Sequence, residues 1–147
     1  QLAAVRTGEQ VLVVGAASGY GAALLAACGA KVTALEDDPA LAGLAKSALA
    51  GLDGVTLVSG PLAAGWPAAA PYDVVFIEGA FEEIPPALAE QVRPAAGRVV
   101  AVRAGAGGRV GQAVLGEPTP AGLVLRAEFD CAAPLLPALR RQPGFVF

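Results

Sequence analysis

The nine residues VVGAASGYG, at positions 13–21, decide how this chain folds. They continue an apolar run and place Gly15, Gly19 and Gly21 in a G-x-x-x-G-x-G spacing. A strand that ends in glycines and feeds a helix leaves backbone N–H groups and the positive helix end facing a crevice at the strand's C-terminal edge. An anionic or polar ligand group can sit there. Gly15 permits the tight turn, and Gly19 lets a ligand or a strand approach the helix start. Small residues at these positions also serve plain helix–strand packing. The spacing alone leaves two occupants open, a nicotinamide dinucleotide and a methyl donor.

Outward from the turn, the pattern alternates strands with helices. Residues 10–14 predict a short apolar strand, and residues 20–28 predict an alanine-rich helix closed by Gly29. Residues 31–35 form a second strand running into Glu36-Asp37-Asp38-Pro39. There Asp38 can cap, and Pro39 can take the first position of a helix reaching about Ala50. A third strand fits residues 55–59 and a fourth fits residues 73–77, with a loop rich in Pro and Ala between them. Residues 84–92 predict a helix with Pro85 and Pro86 in its first turn, and residues 98–102 a fifth strand. From Arg109 onward, VGQAVLG, a turn region at 116–122 and LVLRAEFD predict a β-hairpin. The expectation is an α/β fold: a mostly parallel sheet with helices on both faces and an antiparallel C-terminal hairpin.

Composition narrows the function. The chain has 147 residues, 55% of them hydrophobic, which suits one domain. Its apolar runs are broken by Gly, Pro or charge well short of the roughly 20 residues a membrane helix requires. No signal peptide is legible at the N-terminus, so the cytoplasm is the expected location. The chain opens on Gln1 and contains no Met, so the expectation is a piece of a longer protein that lacks its N-terminal segment. With no His and only Cys28 and Cys131, a zinc site is not expected, and a His-based triad is excluded. Ten basic residues against 13 acidic ones are scattered without a basic stripe, which argues against a nucleic-acid surface.

Glu36 bears on the occupant of the turn. It lies 21 residues after Gly15, at the C-terminal end of the second strand. A carboxylate there can accept hydrogen bonds from both hydroxyls of an adenosine ribose. Its plain alternative is a solvated acid in an acidic turn. Glu78, with Glu82 and Glu83, is expected to form an acidic rim, and Trp66 to line an adenine pocket or anchor a loop.

The stretch VGAASGYG resembles the cofactor turn of short-chain dehydrogenases, a family whose chemistry rests on a Tyr-x-x-x-Lys pair. Tyr20 and Tyr72 are the only tyrosines, and Leu24 and Phe76 stand where the lysine should be. The downstream residues instead resemble protein-L-isoaspartate O-methyltransferases. The resemblance is carried by VLVVGAASGYGAALLA at 11–26, VTALEDDPALAGLA at 32–45, GWPAAAPYDVVFIEGA at 65–80 and EIPPALAEQVRPAAGRVV at 83–100.

That resemblance implies a Rossmann-like S-adenosylmethionine fold and methyl transfer to the carboxyl of isoaspartyl residues in protein repair. It implies that Gly15, Ala16, Ala17, Ser18 and Gly19 hold the amino-acid part of the cofactor, that Glu36 and Asp37 hold the ribose, and that Leu62 meets the adenine. The implied partners are S-adenosylmethionine and a protein or peptide carrying an isoaspartyl residue, with neither nucleic acid nor membrane. Val13 and Ala17 stand where the family usually has an acid and a glycine, and Gly60-Pro61-Leu62 where it has Gly-Asp-Gly. The family's hydroxyl-bearing motif precedes the first strand, so no catalytic residue is named. The alternatives are a catalytically degenerate binding module of the same fold and an NAD(P)-dependent short-chain reductase.

Overall fold

A computed structural model describes residues 2–141. Its centre is a seven-stranded sheet in the order β3-β2-β1-β4-β5-β6-β7. The strands are β1 (Gln10–Val14), β2 (Lys31–Glu36), β3 (Val55–Ser59), β4 (Val74–Phe81), β5 (Arg98–Arg103), β6 (Gln112–Thr119) and β7 (Gly122–Asp130). The first five run parallel, and β6 and β7 close the sheet antiparallel. The α/β expectation and the C-terminal hairpin therefore hold.

β1 lies between β2 and β4, and Val11, Leu12, Val13 and Val14 are fully buried. A strand covered on both faces needs a continuous apolar run rather than alternation. Leu12 and Val14 join Leu35, Val75 and Ile77 on one face, while Val11 and Val13 join Val32, Ala34 and Val74 on the other.

The second face is covered by α1 (Tyr20–Ala27) and α2 (Pro39–Ala48) through Ala22, Ala45 and Leu49. α1 ends at Cys28 and Gly29, the latter at φ 86°. α2 starts as expected: Asp38 Oδ1 accepts from the N–H groups of Ala40 at 2.8 Å and Leu41 at 3.1 Å, and Pro39 opens the helix. The first face is covered by the one-turn α3 (Pro86–Ala89), the loop between β3 and β4 and the C-terminal segment, through Leu88, Leu62, Tyr72 and Leu139.

Three boundaries differ from the sequence reading. α3 has four residues where 84–92 was expected. Tyr72 donates its N–H to the Gln91 carbonyl and accepts from the Arg93 N–H, both at 2.8 Å, which draws the end of the predicted helix into strand-like pairing. β4 runs to Phe81 rather than Ile77, because Ala80 and Phe81 pair with Val102 and Arg103 and Ala80 bridges Leu135 of the C-terminal segment. The hairpin turn is confined to Pro120 and Ala121, since the strands stay paired from Gly116 to Thr119. Among the described residues no helix is long and apolar enough to cross a membrane.

Candidate functional site

The sheet reverses its winding at β1, whose neighbours β2 and β4 are reached in opposite directions. That switch point opens a crevice at the C-terminal ends of β1 and β4. The glycine turn stands on this edge, with Gly15 at φ 78°, Ala17 at φ 47° and Gly19 at φ 84°. Ala17 thus occupies a left-handed conformation that costs an alanine roughly 1–2 kcal/mol.

Four of the turn's N–H groups are already used. Gly15 and Ala16 both donate their N–H to the Leu35 carbonyl, at 2.9 and 3.0 Å, and Gly19 donates to the Ala16 carbonyl at 2.7 Å. Ala17 donates to Glu36 Oε2 at 2.7 Å. The expectation of N–H groups free to meet a ligand is therefore corrected for these four residues, because pairing with β2 satisfies them within the chain. With four donors occupied, this part of the turn is a poor cradle for a phosphate.

Glu36 is 3% exposed, so the solvated-acid alternative does not hold. Its Oε1 accepts from the N–H groups of Asp37 and Asp38, both at 3.0 Å, while Oε2 holds Ala17. A carboxylate has about four lone-pair sites, so three are taken and one is left. Asp37 is exposed beside it, and partial burial together with Glu36 pushes its carboxyl above the ordinary range. Ser18 is exposed at the tip of the turn.

On the β4 side of the crevice stands Glu78, next after Ile77, which pairs with Val14. Its Oε2 is buried without a hydrogen-bond partner, and burial, followed by the charge of Glu36, raises its pKa. The expected rim of Glu78, Glu82 and Glu83 does not form as one group. Glu82 is exposed and accepts from the Arg141 N–H at 3.0 Å, and it lines a separate cavity of about 900 Å³ with Arg103 and Arg109. Burial divides these acids: β4 carries Glu78 under α1, whereas Glu82 lies beyond the strand.

The loop after β3 carries the residues expected to meet an adenine. Leu62 is 4% exposed, its side chain belonging to the core, so any adenine contact from it falls to its backbone. Trp66 lies against the end of β3: a β-carbon placed on Gly60 would meet its ring at 3.4 Å. The buried Gln91 fixes this loop, its Oε1 accepting from the Trp66 N–H and its Nε2 donating to the carbonyls of Ala64 and Ala87, all at 2.8 Å. Tyr72 O–H adds a 2.6 Å bond to the Trp66 carbonyl.

Gln91 escaped the sequence reading, as did Leu136. Leu136 comes from the C-terminal segment, and its side chain would lie 3.2 Å from a β-carbon on Gly15 and 2.6 Å from one on Gly79. The available signal for Gln91 was an amide in a short apolar stretch, and for Leu136 an apolar PLLP run after the last strand.

The other end of the strands holds two of the three ion pairs among the described residues, Arg98 with Glu9 at 2.9 Å and Arg93 with Asp73; the third, Arg126 with Glu128 at 2.7 Å, lies within β7. Among the described residues no hydrogen bond or ion pair brings a Lys or Arg to Glu36 or Glu78. No group of three or more metal-ligating side chains occurs among them either.

Comparison with known proteins agrees with this architecture. Residues 1–110 match the family described as Protein-L-isoaspartate(D-aspartate) O-methyltransferase. The chain is 46% identical over 109 residues to protein-L-isoaspartate O-methyltransferase 1 of Anaeromyxobacter sp. (strain Fw109-5), covering 72% of this chain and 51% of that protein. It spans about half the length of that relative. A solved protein-L-isoaspartate O-methyltransferase superposes with a TM-score of 0.86 at 24% identity, over 95% of this chain and 45% of the other, which is a likeness of fold. A methyltransferase from Thiobacillus denitrificans, solved in complex with S-adenosyl-L-homocysteine, superposes with a TM-score of 0.56 at 22% identity, over 69% of this chain and 44% of the other. On the family match over its first 110 residues, the chain belongs to the protein-L-isoaspartate(D-aspartate) O-methyltransferase family.

Proposed function

We propose that this chain is the S-adenosylmethionine-binding domain of a cytoplasmic methyltransferase that acts on the carboxyl of isoaspartyl residues in damaged proteins. The observation that carries the reading is the charge of the crevice. The N–H groups of Gly15, Ala16, Ala17 and Gly19 are spent within the chain, and two carboxylates, Glu36 and Glu78, stand by the turn with no cation paired to them among the described residues. Such a site disfavours the pyrophosphate of a dinucleotide and favours a ligand bearing positive charge. S-adenosylmethionine carries two such charges, a sulfonium and an ammonium.

The residues divide the cofactor among them. Gly15, Ala16, Ala17, Ser18 and Gly19 wall the amino-acid part by shape and carbonyl oxygens. Glu36, through its remaining lone pair, and the exposed Asp37 hold the ribose hydroxyls. The backbone around Leu62 and the ring of Trp66 bound the adenine, because Pro61 offers no side-chain acceptor. When bound, the cofactor supplies an electrophilic methyl group to a carboxylate nucleophile, a displacement that depends on positioning more than on proton transfer. The chain's part is to fix the donor and exclude water, and no side chain is assigned to acid–base work. The free thiols Cys28 and Cys131 accord with the cytoplasm.

Titration calorimetry with S-adenosylhomocysteine and with NADPH tests the reading. Binding of the first and not the second is expected, with loss on Glu36→Ala. No heat from S-adenosylhomocysteine at millimolar concentration overturns it. A second reading, a binding module that has lost the cofactor, is favoured by Pro61 and by the strained Ala17. Affinity gained only on combining Pro61→Asp with Ala17→Gly would establish it.

A further inference from the structure

Glu78 has a place in the fold but no partner in it. Its Oε2 is buried and makes no hydrogen bond. A carboxylate oxygen left so is costly, and native chains keep one where a ligand completes it. The room for this side chain is made by Gly21, in the first turn of α1: a β-carbon there would lie 2.5 Å from Oε2 and 3.0 Å from the carboxyl carbon. Gly21 thus has a packing reason to be glycine. It is the small residue that lets an acid lie between β4 and α1.

Position supplies the second part. Ile77 pairs with Val14, so Glu78 follows alongside Gly15, and a β-carbon on Gly15 would lie 3.7 Å from the Glu78 carbonyl oxygen. β1 has no acid: Gln10 starts it, and Val11 to Val14 are fully buried and apolar. Glu36 holds the same turn from the other side, through the Ala17 N–H. Two acids thus stand on either side of one turn, and a cation bound beside Glu78 supplies the partner its carboxylate lacks.

Resting on the methyl-donor reading, we infer that Glu78 is the anchor for the α-ammonium group of the cofactor's amino-acid part. The carboxylate accepts from the ammonium, and Gly21 leaves the room in which this acid lies. Glu78 selects for the amino-acid tail, whereas Glu36 and Asp37 serve the nucleoside.

The test compares two probes on the whole chain: S-adenosylhomocysteine, which has the ammonium, and 5′-methylthioadenosine, which keeps the nucleoside and thioether without it. Calorimetry on the unaltered protein and on Glu78→Gln and Glu78→Ala is expected to show S-adenosylhomocysteine weakened by about tenfold or more, the loss typical of a charge-assisted hydrogen bond. Methylthioadenosine should bind all three alike. Equal weakening of both probes, or of neither, overturns the assignment while leaving the methyl-donor reading intact. Failure of the unaltered protein to bind either probe overturns the methyl-donor reading itself, and the anchor with it. Thermal unfolding without ligand separates misfolding from lost contact, because Glu78→Gln removes an unpaired charge and is expected to unfold no lower than the unaltered chain.

Discussion

Glu36 Oε2 accepts a 2.7 Å hydrogen bond from the N–H of Ala17, joining the end of β2 to the middle of the glycine turn. The same side chain holds the first residues after β2. It is a structural clamp before it is a ligand contact. Glu36→Ala leaves three backbone donors without their acceptor and should cost about 2–4 kcal/mol, by analogy with charged hydrogen bonds elsewhere. Denaturant unfolding checks this. A loss below about 0.5 kcal/mol, the range of ordinary surface substitutions, would contradict the clamp.

Gly21 and Glu78 should behave as a coupled pair. In the unaltered chain, Gly21→Ala brings a β-carbon to 2.5 Å from Glu78 Oε2, so the expected helix gain of about 1 kcal/mol is cancelled or reversed. In a Glu78→Ala background the obstruction is gone and the substitution should stabilise. A double-mutant cycle by urea denaturation is expected to return a coupling of about 1–2 kcal/mol. Additive effects would show that Glu78 moves aside freely.

The pH dependence of stability has two limbs. Burial, and then Glu36, raise the pKa of Glu78, so its folded form holds a proton more tightly than its unfolded form. That contribution is complete below the unfolded value and is lost as pH rises through the folded one. Two other acids act in the opposite sense. The Arg98 hydrogen bond lowers Glu9, and in Asp73 burial raises the pKa but the Gln10 N–H and Arg93 more than offset it. Their contributions are present above the unfolded values and lost as pH falls through the folded ones. Melting curves of the unaltered chain and Glu78→Gln should therefore differ on the neutral side and converge in acid. Divergence that grows toward acid would reverse the assignment.

Gln91 should govern the loop that carries the chain's single tryptophan. Gln91→Ala unpairs Trp66 N–H and the carbonyls of Ala64 and Ala87, and is expected to cost about 2–4 kcal/mol. Tryptophan emission should shift red as the ring gains water, and affinity for adenosine compounds should fall. Unchanged emission with lowered stability would confine Gln91 to the core.

Much of the scaffold was legible because its causes are local. Asp38 and Pro39 start α2 by capping chemistry that needs no distant partner. The buried β1 announces itself as an apolar run ending in glycine. The α3 boundary was not legible, since Tyr72, some 20 residues upstream of the helix end, competes for the backbone of Gln91 and Arg93. The extension of β4 likewise depends on Leu135, contributed by the far end of the chain.

The site divides along the same line. The sequence by itself determined that a glycine turn follows β1 and that Glu36 ends β2, because those follow from residue type and spacing along one segment. Only the tertiary structure decided that the N–H groups of Gly15, Ala16 and Ala17 are spent on Leu35 and Glu36, that Glu82 and Glu83 are exposed while Glu78 is half-buried, and that Gly21 makes room for its enclosed oxygen. Those outcomes depend on which strand lies beside β1 and how closely α1 approaches β4. Burial and unpaired charge arise from such non-local packing, and a segment read alone does not contain them.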